Sequence, residues 1–100
     1  MTSPYYILDD NGEPVHEPDF LKWGVWFEST DRHVGDDEIG AARVSTVFLG
    51  LDHAFGAGPP VLFETMIFGG PHHEYQDRYR TRAEALTGHR RVLEMVRSES

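Results

Sequence analysis

Histidines and carboxylates are the side chains of this 100-residue sequence that could carry out chemistry. There are six histidines and 17 acidic residues, and there is no cysteine. The histidines are His16, His33, His53, His72, His73 and His89. A divalent metal ion needs three or four converging ligands, yet no two histidines have the helical i, i+4 spacing. The sequence therefore predicts no metal site and no cofactor, and the lack of cysteine excludes disulfides and thiolate chemistry.

Asp52 and His53 form the sharpest local candidate for catalysis. They lie where a central strand is predicted to end, a place from which catalytic residues often emerge. Glu64 on the next strand and His89 on the last helix could join them in an acid/base site. Alternatively, Asp52 caps amides of the loop and His53 packs beside Phe55. A two-residue motif has little specificity, so we favour the second interpretation.

Glu64 and His89 also have structural interpretations. Glu64 interrupts an apolar strand, where an unpaired carboxylate would be costly, so we expect an ion pair with Arg43, Arg78 or Arg80. His89 lies within an apolar helical stripe, where a single histidine is usually a hydrogen-bonded core residue. No catalytic residue is therefore assigned, and Asp52, His53, Glu64 and His89 remain candidates only.

The net charge of −8 is concentrated at one end of the chain. Residues 1–40 contain ten acidic and two basic residues, whereas residues 74–100 are nearly balanced. This distribution argues against direct nucleic-acid binding, which needs clustered Lys and Arg. Asp36, Asp37 and Glu38 are predicted to form an exposed acidic loop, a candidate contact surface for a basic protein. Trp26, on the flank of a predicted helix, is a second candidate contact.

Local patterns predict the elements that position these residues. Residues 5–8 form a strand ended by an Asn-Gly turn, after which Pro14 allows a short edge strand. Asp19 is the expected N-cap of a helix over residues 20–29, in which Gly24 permits close approach to another element. Residues 43–51 and 61–68 have apolar side chains on both faces, as in central strands that are at least partly covered on both sides. Residues 74–80 alternate as in an exposed edge strand.

The last helix has the clearest pattern. Thr81 and Glu84 fit a capping box, and an apolar stripe continues to Val96. The order β-α-β-β-β-α predicts an α+β fold, with a small antiparallel sheet of three to four strands and two helices. We expect residues 1–100 to be a single domain. With no secretory signal and no apolar stretch long enough for a membrane span, the cytoplasm is the expected compartment.

Several segments resemble a group of small uncharacterised proteins of tailed bacteriophages and prophages. The similarity lies in the run Arg43-Val-Ser-Thr-Val-Phe-Leu-Gly-Leu-Asp-His53, in Gly58-Pro-Pro60, in Leu62-Phe-Glu-Thr-Met66 and in Phe68-Gly-Gly70. It extends to Trp23, to the run Trp26-Phe-Glu28, to Arg78-Tyr79, to Thr81 with Glu84-Ala85, and to Gly88-His89. The resemblance covers most of the chain from about residue 20 onward. It implies a phage origin, and it implies no catalytic residue or ligand.

These observations favour a phage or prophage accessory protein that binds a host or phage macromolecule without catalysis. The macromolecule could be a host-defence or nucleic-acid-handling protein. The alternative is a small-molecule-binding or hydrolytic domain with its site around residues 52–60, where His53, Glu64 and His89 would converge. A homo-oligomer formed through an exposed strand or an apolar helix flank remains open.

Overall fold

The computed structural model describes residues 3–54 and 58–99 and has an α+β fold, as predicted. Its elements are β1 (Tyr6–Leu8), β2 (Pro14–His16), α1 (Phe20–Ser29), β3 (His33–Ile39), β4 (Ala42–Phe48), β5 (Phe63–Phe68), β6 (Gln76–Tyr79) and α2 (Arg82–Glu99). The helices begin as their caps predict. Asp19 accepts hydrogen bonds from the amides of Leu21 and Lys22, and Thr81 and Glu84 each accept from the other's amide.

The strands form two antiparallel sheets. A four-stranded sheet has the order β3-β4-β5-β6, and β1 and β2 form a separate hairpin. An isolated bridge between Tyr5 and Leu51 connects the hairpin to the chain that follows β4. The predicted order β-α-β-β-β-α is therefore incomplete, because it lacks β3 and treats β2 only as a possibility. The N-terminal strand β1 belongs to the hairpin and not to the four-stranded sheet.

The segment with Asp36, Asp37 and Glu38 is strand β3 rather than the predicted acidic loop. These three residues pair with Ser45, Val44 and Arg43 of β4, respectively. Two residues, Gly40 and Ala41, connect the strands, and Gly40 has a φ of +56°. A positive φ at the first central position is what a type II′ hairpin turn requires. The turn and the pairing with β4 override the low strand propensity of Asp and Glu.

Helix α2 covers one face of the sheet, where the core lies. One buried cluster contains Ala42, Val44, Ile67, Val92 and Val96. A second contains Phe48, Leu62, Phe63, Tyr79 and Ala85, with Tyr6, Leu8, Trp26 and Val34 packed against it. The opposite face of the sheet is covered only in part. Glu64 is buried there, whereas Phe68 is 44% exposed.

Helix α1 is attached mainly through aromatic side chains. The ring of Trp23 makes tilted contacts with Tyr5 and Phe27, with centroids 4.7 and 4.8 Å apart, and its Nε1 donates to the carbonyl of Gly50 at 3.0 Å. No other element packs closely at Gly24, since a Cβ built there meets nothing within 4 Å. The prediction that Gly24 permits close approach of another part of the chain is therefore wrong.

Within the described residues, neither helix has the length and apolar character needed to cross a lipid bilayer.

Candidate functional site

A chain of hydrogen bonds runs through the buried face of the sheet and joins five side chains. His89 of α2 is at its centre, with Nδ1 2.7 Å from Thr46 Oγ1 and Nε2 2.7 Å from Asp37 Oδ2. Thr46 Oγ1 is 2.5 Å from Thr65 Oγ1, which accepts a hydrogen bond from the Tyr79 hydroxyl at 3.1 Å. Thr46 and Thr65 have no exposed surface. Strands β3, β4, β5 and β6 and helix α2 each contribute one residue.

The donors and acceptors of this network fit one consistent direction. An ionised Asp37 only accepts, so Nε2 of His89 carries the proton that it donates to the carboxylate. In a neutral imidazole Nδ1 then accepts, and the hydroxyl of Thr46 donates to it. Because each hydroxyl has one proton, Thr65 donates to Thr46, and Tyr79 donates to Thr65. Each buried side-chain N and O atom of this network thereby has a hydrogen-bond partner, which avoids a cost of about 1–3 kcal/mol for each group left unpaired.

Two glycines make room for the network. A Cβ at Gly35 of β3 would lie 2.7 Å from Nε2 of His89, and a Cβ at Gly88 of α2 would overlap the ring of Tyr79. Real Cβ atoms are not found at such distances. Gly35 and Gly88 therefore let α2 approach the sheet closely enough for His89 and Tyr79 to form their hydrogen bonds.

The order Asp37, His89, Thr46 matches the carboxylate, imidazole and hydroxyl of a hydrolase triad. A nucleophile must reach its substrate, however, and Thr46 is fully enclosed between β4, β5 and α2. Its oxygen already contacts both His89 and Thr65. The geometry supports a structural network that fixes α2 on the sheet, as the interpretation of His89 as a hydrogen-bonded core residue predicts.

Asp52 acts as a cap. Its Oδ1 accepts from the amides of Ala54 at 2.8 Å and Val61 at 3.0 Å and so closes the base of the loop. The backbone amide of His53 donates to the carbonyl of Val61 at 2.9 Å. The capping prediction for Asp52 is confirmed. The predicted contact of His53 with Phe55 involves a residue, Phe55, that lies outside the described part of the chain.

Glu64 is an ion-pair residue on the other face of the sheet. Its Oε2 accepts from Nε of Arg78 at 2.9 Å and also from the side-chain Nε2 of Gln76. Side chains alternate along a strand, so Glu64 points away from the face on which its neighbour Thr65 meets the His89 network. Of the three expected partners of Glu64, Arg78 is the one observed. Glu64 and His89 do not share a site, and the hydrolytic alternative loses the convergence that it needs.

The acidic residues of β3 have different partners. Asp36 makes two hydrogen bonds of 2.8 Å with Arg43, and these bonds hold the pKa of Asp36 below its usual range. Asp37 contacts His89 through one oxygen, and its side chain is 49% exposed. Glu38 is exposed and has no ion pair among the described residues. Arg43 therefore leaves a formal charge of −2 on the three carboxylates.

The other predicted contact residue, Trp26, is partly buried, with its ring edge-on to Phe48 at 5.8 Å. Its neighbours on α1 are more accessible. Leu21 is 76% exposed, Val25 is 71% exposed and Phe20 is 56% exposed. Together with Trp26, Leu21 and Val25 line a shallow apolar depression on the outer side of the helix.

Thr46, Thr65, Tyr79 and Gly35 were not singled out from the sequence. A buried polar network could have been indicated by one pattern. Each of the two apolar strands has a threonine in its interior, and α2 has a Gly-His pair on its apolar stripe. Only the register, which pairs Thr46 with Thr65, places them together. Among the described residues, no group of three or more histidines and carboxylates could hold a metal ion.

Comparisons with protein-family models, with curated proteins and with solved structures returned no match.

Proposed function

We propose that this chain is a phage or prophage accessory protein that binds a basic protein non-covalently in the cytoplasm of the bacterial host. One observation carries the proposal. Asp36, Asp37 and Glu38 are exposed on the outermost strand of the sheet. A negatively charged surface raises the association rate with a positively charged partner and discriminates against other partners.

The internal use of the other polar residues supports binding rather than catalysis. Asp52 caps a loop, Glu64 pairs with Arg78, and His89 is held between Thr46 and Asp37. The acids of β3 differ, because all three side chains stay exposed even though Asp36 pairs with Arg43 and Asp37 contacts His89. The resemblance to small phage and prophage proteins is consistent with an accessory role, and a host-defence or nucleic-acid-handling protein remains the type of partner that we favour.

The test compares two variants that remove the same charge from different places. Asp36→Asn/Glu38→Gln neutralises β3 and leaves the bond between Asp37 and His89 intact. Asp10→Asn/Glu13→Gln removes two exposed carboxylates from the N-terminal hairpin. The tagged protein is used to capture partners from infected or prophage-bearing cells, and the affinity of each variant for the purified partner is then measured.

We expect the β3 variant to bind about 2- to 30-fold more weakly, because each of the two exposed ion pairs contributes about 0.2–1 kcal/mol, and more where water is excluded. The hairpin variant should bind like the unmodified chain. Equal affinities for all three proteins, or recovery of no macromolecule under gentle conditions, would overturn the proposal.

A further inference from the structure

Among the described strands, β3 lies at an edge of the main sheet and has no strand on its outer side. It has seven residues and hydrogen-bonds with β4 on one side, whereas the strand at the other edge, β6, has four. Edge strands present unpaired N–H and C=O groups that can pair with another extended chain. Because β3 is longer than β6, it offers more backbone groups for pairing with an added strand.

The backbone groups that face outward can be identified from the register. The amide of Phe48 donates to the carbonyl of Arg32, on the β3 side, and the amide of Leu49 donates toward the β5 side, to Leu62. Backbone direction alternates along a strand, so the even-numbered residues of β4, including Val44, bond with β3. The backbone N–H and C=O groups of the residues opposite them on β3, which include Asp37, therefore point toward β4.

The alternate residues Asp36 and Glu38 direct their N–H and C=O groups away from the sheet. Among the described residues no hydrogen bond to these four groups is found. An added strand can therefore form up to four main-chain hydrogen bonds without disturbing the ladder between β3 and β4. The irregular register between His33 and Gly35 limits regular pairing to the part of β3 that carries the acids.

Charge selects the occupant of this edge. A second copy paired antiparallel about Asp37 would place Asp37 opposite Asp37 and Asp36 opposite Glu38. Like charges directly opposite each other destabilise a strand pair, whereas opposite charges stabilise it. Asp36 and Glu38 lie on one face of the strand, two residues apart. Asp36 is already paired with Arg43, but the two carboxylates and Arg43 together keep a formal charge of −1 that favours Lys or Arg at alternate positions of an incoming strand.

We propose that β3 binds an extended segment of the partner protein as a fifth strand, and that this segment carries Lys or Arg at two positions separated by one residue. The inference rests on the proposed function, because it specifies how the basic partner is recognised. Main-chain hydrogen bonds to Asp36 and Glu38 hold the segment, and the carboxylates select its charge.

Three synthetic peptides of the same length test strand addition. The first, Ac-TKVKVKT-NH2, has lysines on one face of an extended chain. The second replaces its lysines with glutamates. The third keeps the lysines but has N-methyl groups on alternate amides, so one edge can no longer donate. Binding is measured by NMR on the full chain, together with hydrogen exchange of the backbone amides.

We expect the first peptide to bind and to slow exchange at the amides of Asp36 and Glu38, with smaller changes at Asp37, whose amide is already bonded to β4. The N-methylated peptide should bind at least about tenfold more weakly, because each lost hydrogen bond reduces affinity about 2- to 10-fold. The glutamate peptide should not bind measurably.

Glu38 offers a matched pair of protein variants. Glu38→Gln removes the charge and keeps the outward amide, whereas Glu38→Pro removes both. Proline is tolerated at an edge position whose amide faces solvent, and circular dichroism and thermal unfolding establish that each variant is folded. We expect Glu38→Gln to weaken binding of the first peptide about 2- to 5-fold. Glu38→Pro should weaken it at least about fivefold further.

The outcomes separate the inference from the proposed function. Equal binding of the two lysine peptides, or equal effects of the two Glu38 variants, would overturn strand addition and leave recognition of a basic partner standing. No change at the β3 amides with millimolar lysine peptide would also overturn it. If Asp36→Asn/Glu38→Gln self-associates and neither lysine peptide binds, the acids only protect the edge from pairing, and the inference fails.

Discussion

The two helices use their sequences in opposite ways. Helix α1 is mostly apolar, with Lys22, Glu28 and Ser29 as its polar residues, yet it contains no buried residue. Helix α2 is rich in charged residues, yet it buries Ala85, Gly88, His89, Val92 and Val96. The apolar content of a helix therefore does not determine its burial here. The determining factor is the surface that the helix meets.

That surface differs for the two helices. Helix α2 crosses all four strands of the main sheet, so residues at helical spacing find a continuous apolar layer. Helix α1 lies against the N-terminal hairpin and the end of β4, and its contacting residues Trp23, Trp26 and Phe27 are only partly buried. Leu21 and Val25 are left in solvent. The contrast predicts that equal substitutions in the two regions have unequal effects.

The largest difference is expected for two phenylalanines. Phe48 is fully buried, with its ring 5.3 Å from Phe63 and 5.8 Å from Trp26, whereas Phe20 is 56% exposed. Phe48→Ala should lower the free energy of unfolding by about 3–5 kcal/mol. Phe20→Ala should lower it by less than about 1 kcal/mol. Urea denaturation measures both, and losses of similar size would show that α1 is as tightly integrated as the sheet.

Replacing the glycine within each helix by alanine should change the stability of the fold in opposite directions. Gly88→Ala forces a methyl group into the ring of Tyr79 and should destabilise the fold by about 1–3 kcal/mol. Gly24→Ala meets open space in a helix interior and should stabilise the protein by up to about 1 kcal/mol. Thermal unfolding of the two variants checks the sign. A stabilising Gly88→Ala would contradict the close approach of α2 to the sheet.

Local chemistry was enough to predict the helices. The hydroxyl of Thr81, the carboxylates of Glu84 and Asp19 and the stripe of α2 act over three or four residues, so the sequence contains the whole interaction. The same is true of Asp52, whose cap was predicted from its place at the end of an apolar run.

Strand β3 was missed because its stability comes from pairing rather than from propensity. Asp36, Asp37 and Glu38 are poor strand formers taken alone. The sequence did contain one indication of a hairpin, which is Gly40. It lies in the two-residue turn between Ile39 and Ala42, the pair of residues that closes the hairpin.

The candidate site was predictable only in its parts. His89 was expected to be a bonded core residue, but its partners Asp37 and Thr46 lie 52 and 43 positions away in sequence. Strand register decides which side chains meet across a sheet, and a shift of one residue would turn Thr46 to the other face. Strand register also determines which backbone groups of β3 face away from the sheet, so these groups could not be identified from the sequence.

A smaller difference is expected when the two helix caps are removed. Thr81→Ala should lower the global free energy of unfolding by about 1 kcal/mol, because α2 is part of the core. Asp19→Ala removes a comparable cap, but from a helix with no buried residue. Its effect should be confined to local opening of α1, seen as faster hydrogen exchange of the α1 amides with little change for the amides of β4 and β5. Global destabilisation by both variants would show that α1 unfolds together with the sheet.

The last difference is restricted to alkaline pH. Burial raises the pKa of Tyr79 above the ordinary value of about 10 for a tyrosine. As the pH rises, the unfolded chain loses this proton first. The stability that the group contributes is therefore fully present below about pH 10 and is lost as the pH rises through the folded pKa. We expect Tyr79→Phe to flatten this alkaline decline, at the cost of about 1 kcal/mol near neutral pH for the lost hydrogen bond to Thr65. Tyr5→Phe, on the α1 side, leaves Tyr79 in place and should keep the decline. Denaturation at a series of pH values measures both variants, and an unchanged decline in Tyr79→Phe would assign it to another group.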